Sequence, residues 1–85
     1  MLEKMYYVYI IRCKDGTLYT GSTDDVQRRF QVHRSGKGAK YTRGRGPLEL
    51  VYSEECATWS DALKRERKIK SLSKAEKEKL INTTR

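Results

Sequence analysis

The chain contains little cysteine and histidine and no long hydrophobic run. Cys13 and Cys56 are its only cysteines and His33 is its only histidine, and no two of them have the close spacing of a zinc site. We therefore expect both thiols to be reduced and partly buried. No stretch approaches the ~20 apolar residues of a membrane-spanning helix, and the first residues lack the apolar run of a secretory signal. We expect a cytoplasmic protein with no membrane partner.

Acidic residues are missing from residues 26–47, a stretch that contains seven arginine or lysine residues. The whole chain has 19 basic residues of these two types against 11 acidic ones, a net charge of +8. A charge of this size favours a polyanionic partner, and nucleic acid is the leading candidate. With 85 residues and 36% hydrophobic content, the chain is expected to form one domain, residues 1–85, with a thin core.

The first part of the chain has the pattern of a β-hairpin. Residues 6–11 are rich in aromatic and β-branched side chains, and residues 17–20 form a second short run after an Asp-Gly pair. A two-residue turn would place Tyr9 and Tyr19 on opposite faces of the sheet. A three-residue loop, residues 14–16, with its glycine in the left-handed conformation places both tyrosines on one face. We predict the three-residue loop.

Three polar positions, each followed three residues later by a second polar residue, have the pattern of helix N-termini. They predict helices that begin after Asp24, Thr58 and Ser73 and end near residues 34, 71 and 81. For the first helix, residues 22–25 supply several possible caps, and Asp24 is the one chosen because Gln27 follows it by three residues. Residues 48–53 partly alternate with period two, which predicts a third strand. The expected fold is therefore of the α+β class, with a three-stranded antiparallel sheet flanked by helices. The expected order is strand, strand, helix, strand, helix, helix.

Polar side chains occupy positions of these helices where apolar ones are expected. Arg29 and His33 lie on the apolar stripe of the first helix. Glu66 follows Trp59 by seven residues and precedes Ile69 by three, which predicts that all three lie on the inward face of the second helix. Burying an unpaired carboxylate is costly, so these charges need partners. One interpretation is a semi-buried salt bridge between Arg29 and Glu66 that serves no reaction.

The order of the polar residues along the chain resembles that of the GIY-YIG nuclease family, and in particular its small stand-alone bacterial members of the UPF0213 type. Residues 7–9, Tyr-Val-Tyr, stand where the family has Gly-Ile-Tyr, and residues 19–21, Tyr-Thr-Gly, where it has Tyr-Ile-Gly. Residues 61–66 resemble the segment that carries the family's metal-binding glutamate. The matching side chains are Tyr9, Tyr19, Arg29, His33 and Glu66.

The resemblance implies hydrolysis of phosphodiester bonds with one divalent ion, Mg²⁺ or Mn²⁺, held by Glu66, a type of ligand that Mg²⁺ accepts. It implies that Tyr9 is the general base and that His33 accepts the phenolic proton or holds the ring. Arg29 would bind the scissile phosphate, and Tyr19 would orient water or phosphate. A free phenol has a pKa of about 10, and we expect the charges of Arg29 and the metal to lower that of Tyr9.

The resemblance further implies an endonuclease of low sequence specificity, because phosphate contacts give affinity without reading bases and the chain has no room for a separate recognition domain. DNA is the favoured substrate, with RNA as a possible one, and DNA repair or recombination is the expected setting. A non-catalytic nucleic-acid-binding module on the same scaffold is the alternative. Ser22 stands where many members have lysine. The expected nucleic-acid contacts are Gly21, where the backbone would pass close to the substrate, Ser22, Lys37, Lys40, Arg43 and Arg45.

Overall fold

A computed structural model describes the chain at residues 4–37, 42 and 44–83. Its class and element order are those predicted from the sequence, with three antiparallel strands and three helices in the described ranges. The strands are β1 (Tyr6–Arg12), β2 (Leu18–Thr23) and β3 (Glu49–Cys56), and the helices are α1 (Val26–Arg34), α2 (Trp59–Lys70) and α3 (Lys74–Thr83).

A three-residue loop joins β1 to β2, as predicted. The Cys13 amide donates to the Thr17 carbonyl and the Gly16 amide donates to the Cys13 carbonyl, both at 2.9 Å. Gly16 has a φ of +86°, in the left-handed region that glycine adopts without a Cβ penalty. The Asp15 carboxylate accepts from the Thr17 amide at 3.1 Å and holds the loop in this form.

The register of this hairpin decides which side chains meet. Tyr9 pairs with Gly21 and Ile11 pairs with Tyr19 across the two strands. Because directly paired residues point to the same face, Tyr9, Tyr19 and Gly21 share one face of the sheet. The prediction that both tyrosines lie on one face is confirmed.

The sheet has the order β2-β1-β3, so β1 is the central strand and its residues 8–11 are buried on both faces. On one face, α2 and α3 cover the hydrophobic core. On the other face lie the two tyrosines and α1, whose one fully buried side chain is His33. The core consists of Val8, Ile10, Leu18, Tyr52, Ala62, Ile69 and Ile81.

The helix starts agree with the sequence at two of three positions. Thr58 caps α2 by accepting from the Asp61 amide at 3.0 Å. Ser73 and Glu76 form the reciprocal capping box of α3, with amide contacts of 2.8 and 3.1 Å. Both caps use a side chain and a backbone amide three residues apart, which is why the sequence alone predicts them.

The predicted cap of α1 at Asp24 is wrong by one residue. Asp25 has the extended backbone of a cap, and its carboxylate accepts from the Arg28 amide at 3.1 Å. Asp24 instead forms an ion pair with Lys4 at 3.0 Å. Two adjacent aspartates offer the same local signal, and the direction in which the chain leaves β2 decides between them.

The prediction that Trp59 faces inward is also wrong. Ala62 and Ile69 are fully buried, whereas Trp59 is 43% exposed. Trp59 is the first residue of α2 and lies at the flank of the helix, where its indole and the Tyr6 ring make an edge-to-face contact. Helical spacing alone does not distinguish the flank of a helix from its centre.

Cys13 and Cys56 are free thiols, as expected, and Cys13 is buried. Among the described helices, none is both long enough and apolar enough to cross a membrane.

Candidate active site

Three rings meet on the α1 side of the sheet, and we call Tyr9, Tyr19 and His33 the ring cluster. The Tyr9 hydroxyl is hydrogen-bonded to His33 Nε2 at 3.0 Å. The Tyr19 ring lies 5.2 Å from the imidazole and 6.4 Å from the Tyr9 ring, measured between centroids. Arg29, one turn before His33 on α1, donates a hydrogen bond to Tyr9. Four residues that the sequence singled out therefore lie together.

Thr42 completes this arrangement and was not predicted. Its hydroxyl is hydrogen-bonded to His33 Nδ1 at 2.9 Å, and the residue is only 2% exposed. His33 is thus held at both ring nitrogens by hydroxyl groups. A threonine within a glycine-rich basic segment carries no local signal of such a role, because the contact depends on where the tertiary fold places Thr42 relative to α1.

Burial raises the pKa of Tyr9 to about 12. The hydrogen bond and the charge of Arg29 lower the pKa, as expected, but burial outweighs them, and the nearby Tyr19 and Glu66 also raise it. The expected lowering by Arg29 is therefore present, but the larger effect of burial leaves the pKa of Tyr9 above that of a free phenol. At neutral pH Tyr9 is a protonated phenol that donates to an acceptor.

Burial, followed by the positive charge of Arg29, lowers the pKa of His33 from its usual value of 6.5. The imidazole is therefore neutral at pH 7, and one of its nitrogens is free to accept a proton. A neutral imidazole beside a protonated phenol is an arrangement through which a proton can pass.

Gly21 provides the space for the Tyr9 hydroxyl. A Cβ atom at Gly21 would lie 2.5 Å from the Tyr9 hydroxyl oxygen and 3.2 Å from a ring carbon of Tyr19. Such contacts are shorter than real side chains tolerate. The sequence predicts that this glycine lets a substrate approach the backbone. In the structure, the absence of a side chain at Gly21 makes room for Tyr9.

Glu66 lies on α2, across the edge strand from the ring cluster. Its side chain is 18% exposed, accepts a hydrogen bond from the Ser22 hydroxyl on β2, and pairs with Lys70 Nζ at 2.6 Å. No ion pair among the described residues joins Glu66 to Arg29, so the interpretation of a mutual salt bridge is wrong. The sequence contains a signal for the Lys70 pair, since glutamate followed by lysine four residues later is a common helical ion pair.

The donor set at Glu66 fits a hard divalent ion. The described residues contain no cluster of three histidine, cysteine, aspartate or glutamate side chains, so Glu66 would act as a single carboxylate ligand. Mg²⁺ commonly binds through one or two carboxylates and completes its shell with water and phosphate oxygens. Lys70 already places positive charge beside one oxygen of Glu66, and a metal ion would compete with it there.

Two of the four predicted phosphate contacts in the basic segment, Lys37 and Arg45, fall within the described residues. Lys37 is exposed just beyond α1. Arg45 forms an ion pair with Asp15 at 2.8 Å and so ties this segment to the hairpin. Lys40 and Arg43 lie outside the described residues. The roles assigned to these four residues stay predictions.

Known proteins share both the sequence and the fold of this chain. A UPF0213 protein of Oceanobacillus iheyensis is 50% identical over 80 residues, which cover 94% of this chain and 93% of that protein. The solution NMR structure of the UPF0213 protein from Bacillus halodurans is 51% identical, with a TM-score of 0.61, and the match covers 93% of this chain and 84% of that one. A solution NMR structure of a protein from E. faecalis is 38% identical, with a TM-score of 0.65. The match covers 96% of this chain and 88% of that chain.

The family model of the GIY-YIG catalytic domain matches residues 5–80, a range that contains the ring cluster, Arg29 and Glu66. This family supports a nuclease-type function and a nucleic acid substrate. The chain therefore belongs to the GIY-YIG family, beside the small proteins named UPF0213.

Proposed function

We propose that the chain is a metal-dependent endonuclease that hydrolyses phosphodiester bonds in DNA with low sequence specificity. The observation that carries this proposal is the buried contact between the Tyr9 phenol and the neutral His33 imidazole, with Arg29 beside it. The phenol can pass its proton to the adjacent base, and the arginine can bind a phosphate. Hydrolysis of a phosphodiester requires both of these functions.

Arg29 has the phosphate-binding role in this proposal. Its guanidinium is permanently charged and presents a planar fork of donors, which matches the non-bridging oxygens of a phosphodiester. The charge that accumulates on these oxygens in the transition state strengthens the interaction, so Arg29 contributes to the rate as well as to binding. Glu66 would hold Mg²⁺ or Mn²⁺, which would supply further positive charge to the phosphate.

The ring cluster has the proton-transfer role. As water attacks phosphorus, its proton passes to the Tyr9 hydroxyl oxygen while the phenolic proton passes to His33 Nε2. Tyr9 stays neutral through this exchange, so its high pKa does not prevent it from acting at neutral pH. Thr42 accepts from Nδ1–H and so leaves Nε2 free to accept, and Tyr19 packs against both rings and orients them.

The substrate class follows from the charge of the chain. The basic residues at 26–47 contact phosphates, which are the same in every sequence, and this supports an enzyme that reads DNA structure instead of bases. We propose a role in the repair or recombination of structured or damaged DNA in the cytoplasm, with RNA as a second possible substrate.

A non-catalytic nucleic-acid-binding module is the second candidate. Two observations favour it, namely that Lys70 already pairs with Glu66 and that Tyr9 has a pKa of about 12. Such a module would bind DNA in a salt-sensitive way that does not change when Mg²⁺ or Mn²⁺ is added.

Replacement of the metal ligand tests the proposal. Wild-type protein should cleave end-labelled DNA in the presence of Mg²⁺ or Mn²⁺, and the cleavage should stop when EDTA is added. Glu66→Gln should lower kcat by at least about 100-fold, because it removes the charged ligand while keeping the shape, and loss of even outer-shell partners costs about 10- to 100-fold.

Glu55→Gln is the matched control, since Glu55 is an exposed acid on β3 that pairs with Tyr7 and has no role in the proposed reaction. It should leave the rate unchanged. A wild-type protein that cleaves no DNA with either metal, or a Glu66→Gln protein that cleaves as fast as wild type, would show that the chain is not this kind of nuclease.

A further inference from the structure

An open groove lies beside Arg29, on the flank of the sheet where α2 begins. Its volume is about 430 Å³. It connects the phosphate-binding side chain of the proposed reaction with an aromatic residue that the reaction does not use. We call it the Trp59 groove, and it is lined by Tyr6, Ser22, Thr23, Asp24, Arg29 and Trp59.

The indole of Trp59 is held in place and yet open to solvent. Its ring lies 5.5 Å from the Tyr6 ring at 61°, an edge-on contact, and Tyr6 in turn packs against the hydrophobic core. Trp59 nevertheless stays 43% exposed, which is unusual for a residue of this size in a thin core. A fixed aromatic ring with a free surface is a platform on which a nucleobase stacks.

The charges in the Trp59 groove fit a nucleotide. Arg29 provides positive charge for a phosphate at one end. The carboxylate of Asp24 would repel a phosphate, but it is paired with Lys4 at 3.0 Å and lies 3.9 Å from Arg28, so its charge is largely compensated. A ligand with an aromatic base and an anionic linkage therefore matches the groove better than a purely apolar one.

Trp59 is also aligned with the proposed metal ligand. Trp59, Leu63, Glu66 and Lys70 follow the spacing i, i+4, i+7 and i+11, which places them on one flank of α2. Seven residues correspond to about 10 Å along a helix. This equals about three steps of a stacked nucleic acid strand at about 3.4 Å per nucleotide.

We propose that Trp59 stacks on an unpaired nucleobase within about three nucleotides of the phosphate that Arg29 binds. A base in an intact duplex is covered on both faces by its neighbours and cannot use this platform. The inference narrows the substrate to a single strand, or to a duplex with unpaired nucleotides next to the cut. It rests on the proposed function for the position of the phosphate between Arg29 and the ion that Glu66 would hold.

Trp59 is the only tryptophan of the chain, so its fluorescence reports stacking directly. The experiment uses the full-length Glu66→Gln protein without metal, which keeps the oligonucleotide uncut. A 12-nucleotide oligo(dT) should quench the emission, and the same oligonucleotide with abasic residues should bind without quenching. In the same background, Trp59→Ala should bind oligo(dT) about 5- to 100-fold more weakly.

Two variants separate stacking from general apolar contact. Trp59→Phe keeps an aromatic ring and should retain most of the affinity, whereas Trp59→Leu should lose it. Leu63→Ala removes the other exposed large side chain of this flank, 40% exposed, and should change oligo(dT) affinity by less than about twofold. Unfolding curves of the four variants establish that each is folded before binding is compared.

Equal quenching by the intact and abasic oligonucleotides, or wild-type affinity in both Trp59→Ala and Trp59→Leu, would overturn the inference. A response to anionic lipid vesicles with none to oligonucleotides would overturn it in favour of a membrane surface. If an oligonucleotide stacks on Trp59 but the wild-type protein cleaves no DNA, the stacking inference is supported and the nuclease proposal is wrong. The two proposals therefore fail separately.

Discussion

The imidazole of His33 lies between two hydroxyl groups, and the direction of each hydrogen bond decides what the ring can do. Arginine only donates, so Arg29 meets a lone pair of the Tyr9 oxygen, and the proposed reaction has the phenolic proton donated to His33 Nε2. The proposed reaction therefore requires the tautomer with its proton on Nδ1, where it donates to the Thr42 hydroxyl. The threonine thereby selects the tautomer that can accept from Tyr9.

Replacing Thr42 by valine should disturb the proton transfer more than the fold. The Nδ1–H tautomer then has a buried donor without this acceptor, so the ring shifts toward the Nε2–H form, which cannot accept from Tyr9. We expect kcat to fall by about 3- to 10-fold with little change in KM, the size of one lost hydrogen bond. Steady-state cleavage measurements, with ¹⁵N NMR of the single histidine to report its tautomer, provide the check.

The pH profile gives this substitution a distinct signature. Cleavage requires neutral His33, so in wild type it declines as pH falls through the pKa of His33, which burial lowers from 6.5. The Thr42 hydroxyl accepts from the charged imidazolium more strongly than from the neutral ring, so its loss lowers this pKa further and moves the decline to lower pH. Thr42→Ser keeps the hydroxyl and should retain the pH profile of wild type. An unchanged tautomer and pH profile in Thr42→Val would contradict the assignment.

At the scale of elements, the loop between β1 and β2 decides whether an active site can form at all. One residue fewer would turn Tyr19 to the opposite face of the sheet from Tyr9, because strand side chains alternate. The three-residue loop requires a positive φ at Gly16, which glycine adopts readily, and the contacts that Asp15 makes with Thr17 stabilise the loop.

Gly16→Ala should lower the free energy of unfolding by about 1 kcal/mol. An added Cβ would meet Lys74 Nζ at 3.4 Å, an ordinary contact, so the cost comes from the backbone conformation and not from collision. Asparagine tolerates positive φ better, and Gly16→Asn should lose about half as much. Urea denaturation measures both values. Equal stability of the alanine variant and wild type would mean that the loop adopts another conformation in solution.

The sequence predicts those elements whose signals are local. The N-cap of α2, the capping box of α3 and the hairpin loop each depend on residues within three or four positions, and all three are confirmed. The failures depend on tertiary position. The exposure of Trp59 and the choice of Asp25 over Asp24 follow from where α2 and α1 meet the sheet edge.

The family resemblance predicts which residues meet in the candidate site, whereas packing determines their pKa values. The gathering of Tyr9, Tyr19, Arg29 and His33 was predictable, because family motifs place them on elements that the sequence also predicts. The high pKa of Tyr9 was not, because it depends on burial, which no residue pattern specifies.

At the scale of the whole molecule, charge is distributed unevenly. Seven of the 19 basic residues lie in the acid-free stretch 26–47 of the sequence. This stretch includes α1, which lies on the face of the sheet that carries the ring cluster. Helix α3 also carries lysines, but it packs through Ile81 on the opposite face, and glutamates are interspersed with them. A nucleic acid bound at the ring cluster should therefore contact the first group and not the second.

Two charge-neutralising substitutions of the same type distinguish a local contact from overall charge. Lys37→Gln removes an exposed lysine just beyond α1, and Lys79→Gln removes an exposed one from α3. For a single-stranded oligonucleotide, each phosphate contact contributes about 0.7 to the slope of log K against log salt concentration. We expect Lys37→Gln to reduce the slope by about this amount and Lys79→Gln to leave it unchanged, as measured by fluorescence anisotropy between 50 and 200 mM salt, roughly the range over which such contacts are resolved. Equal reductions in both variants would show that affinity follows net charge alone, and the ring cluster would then have no preferred role in binding.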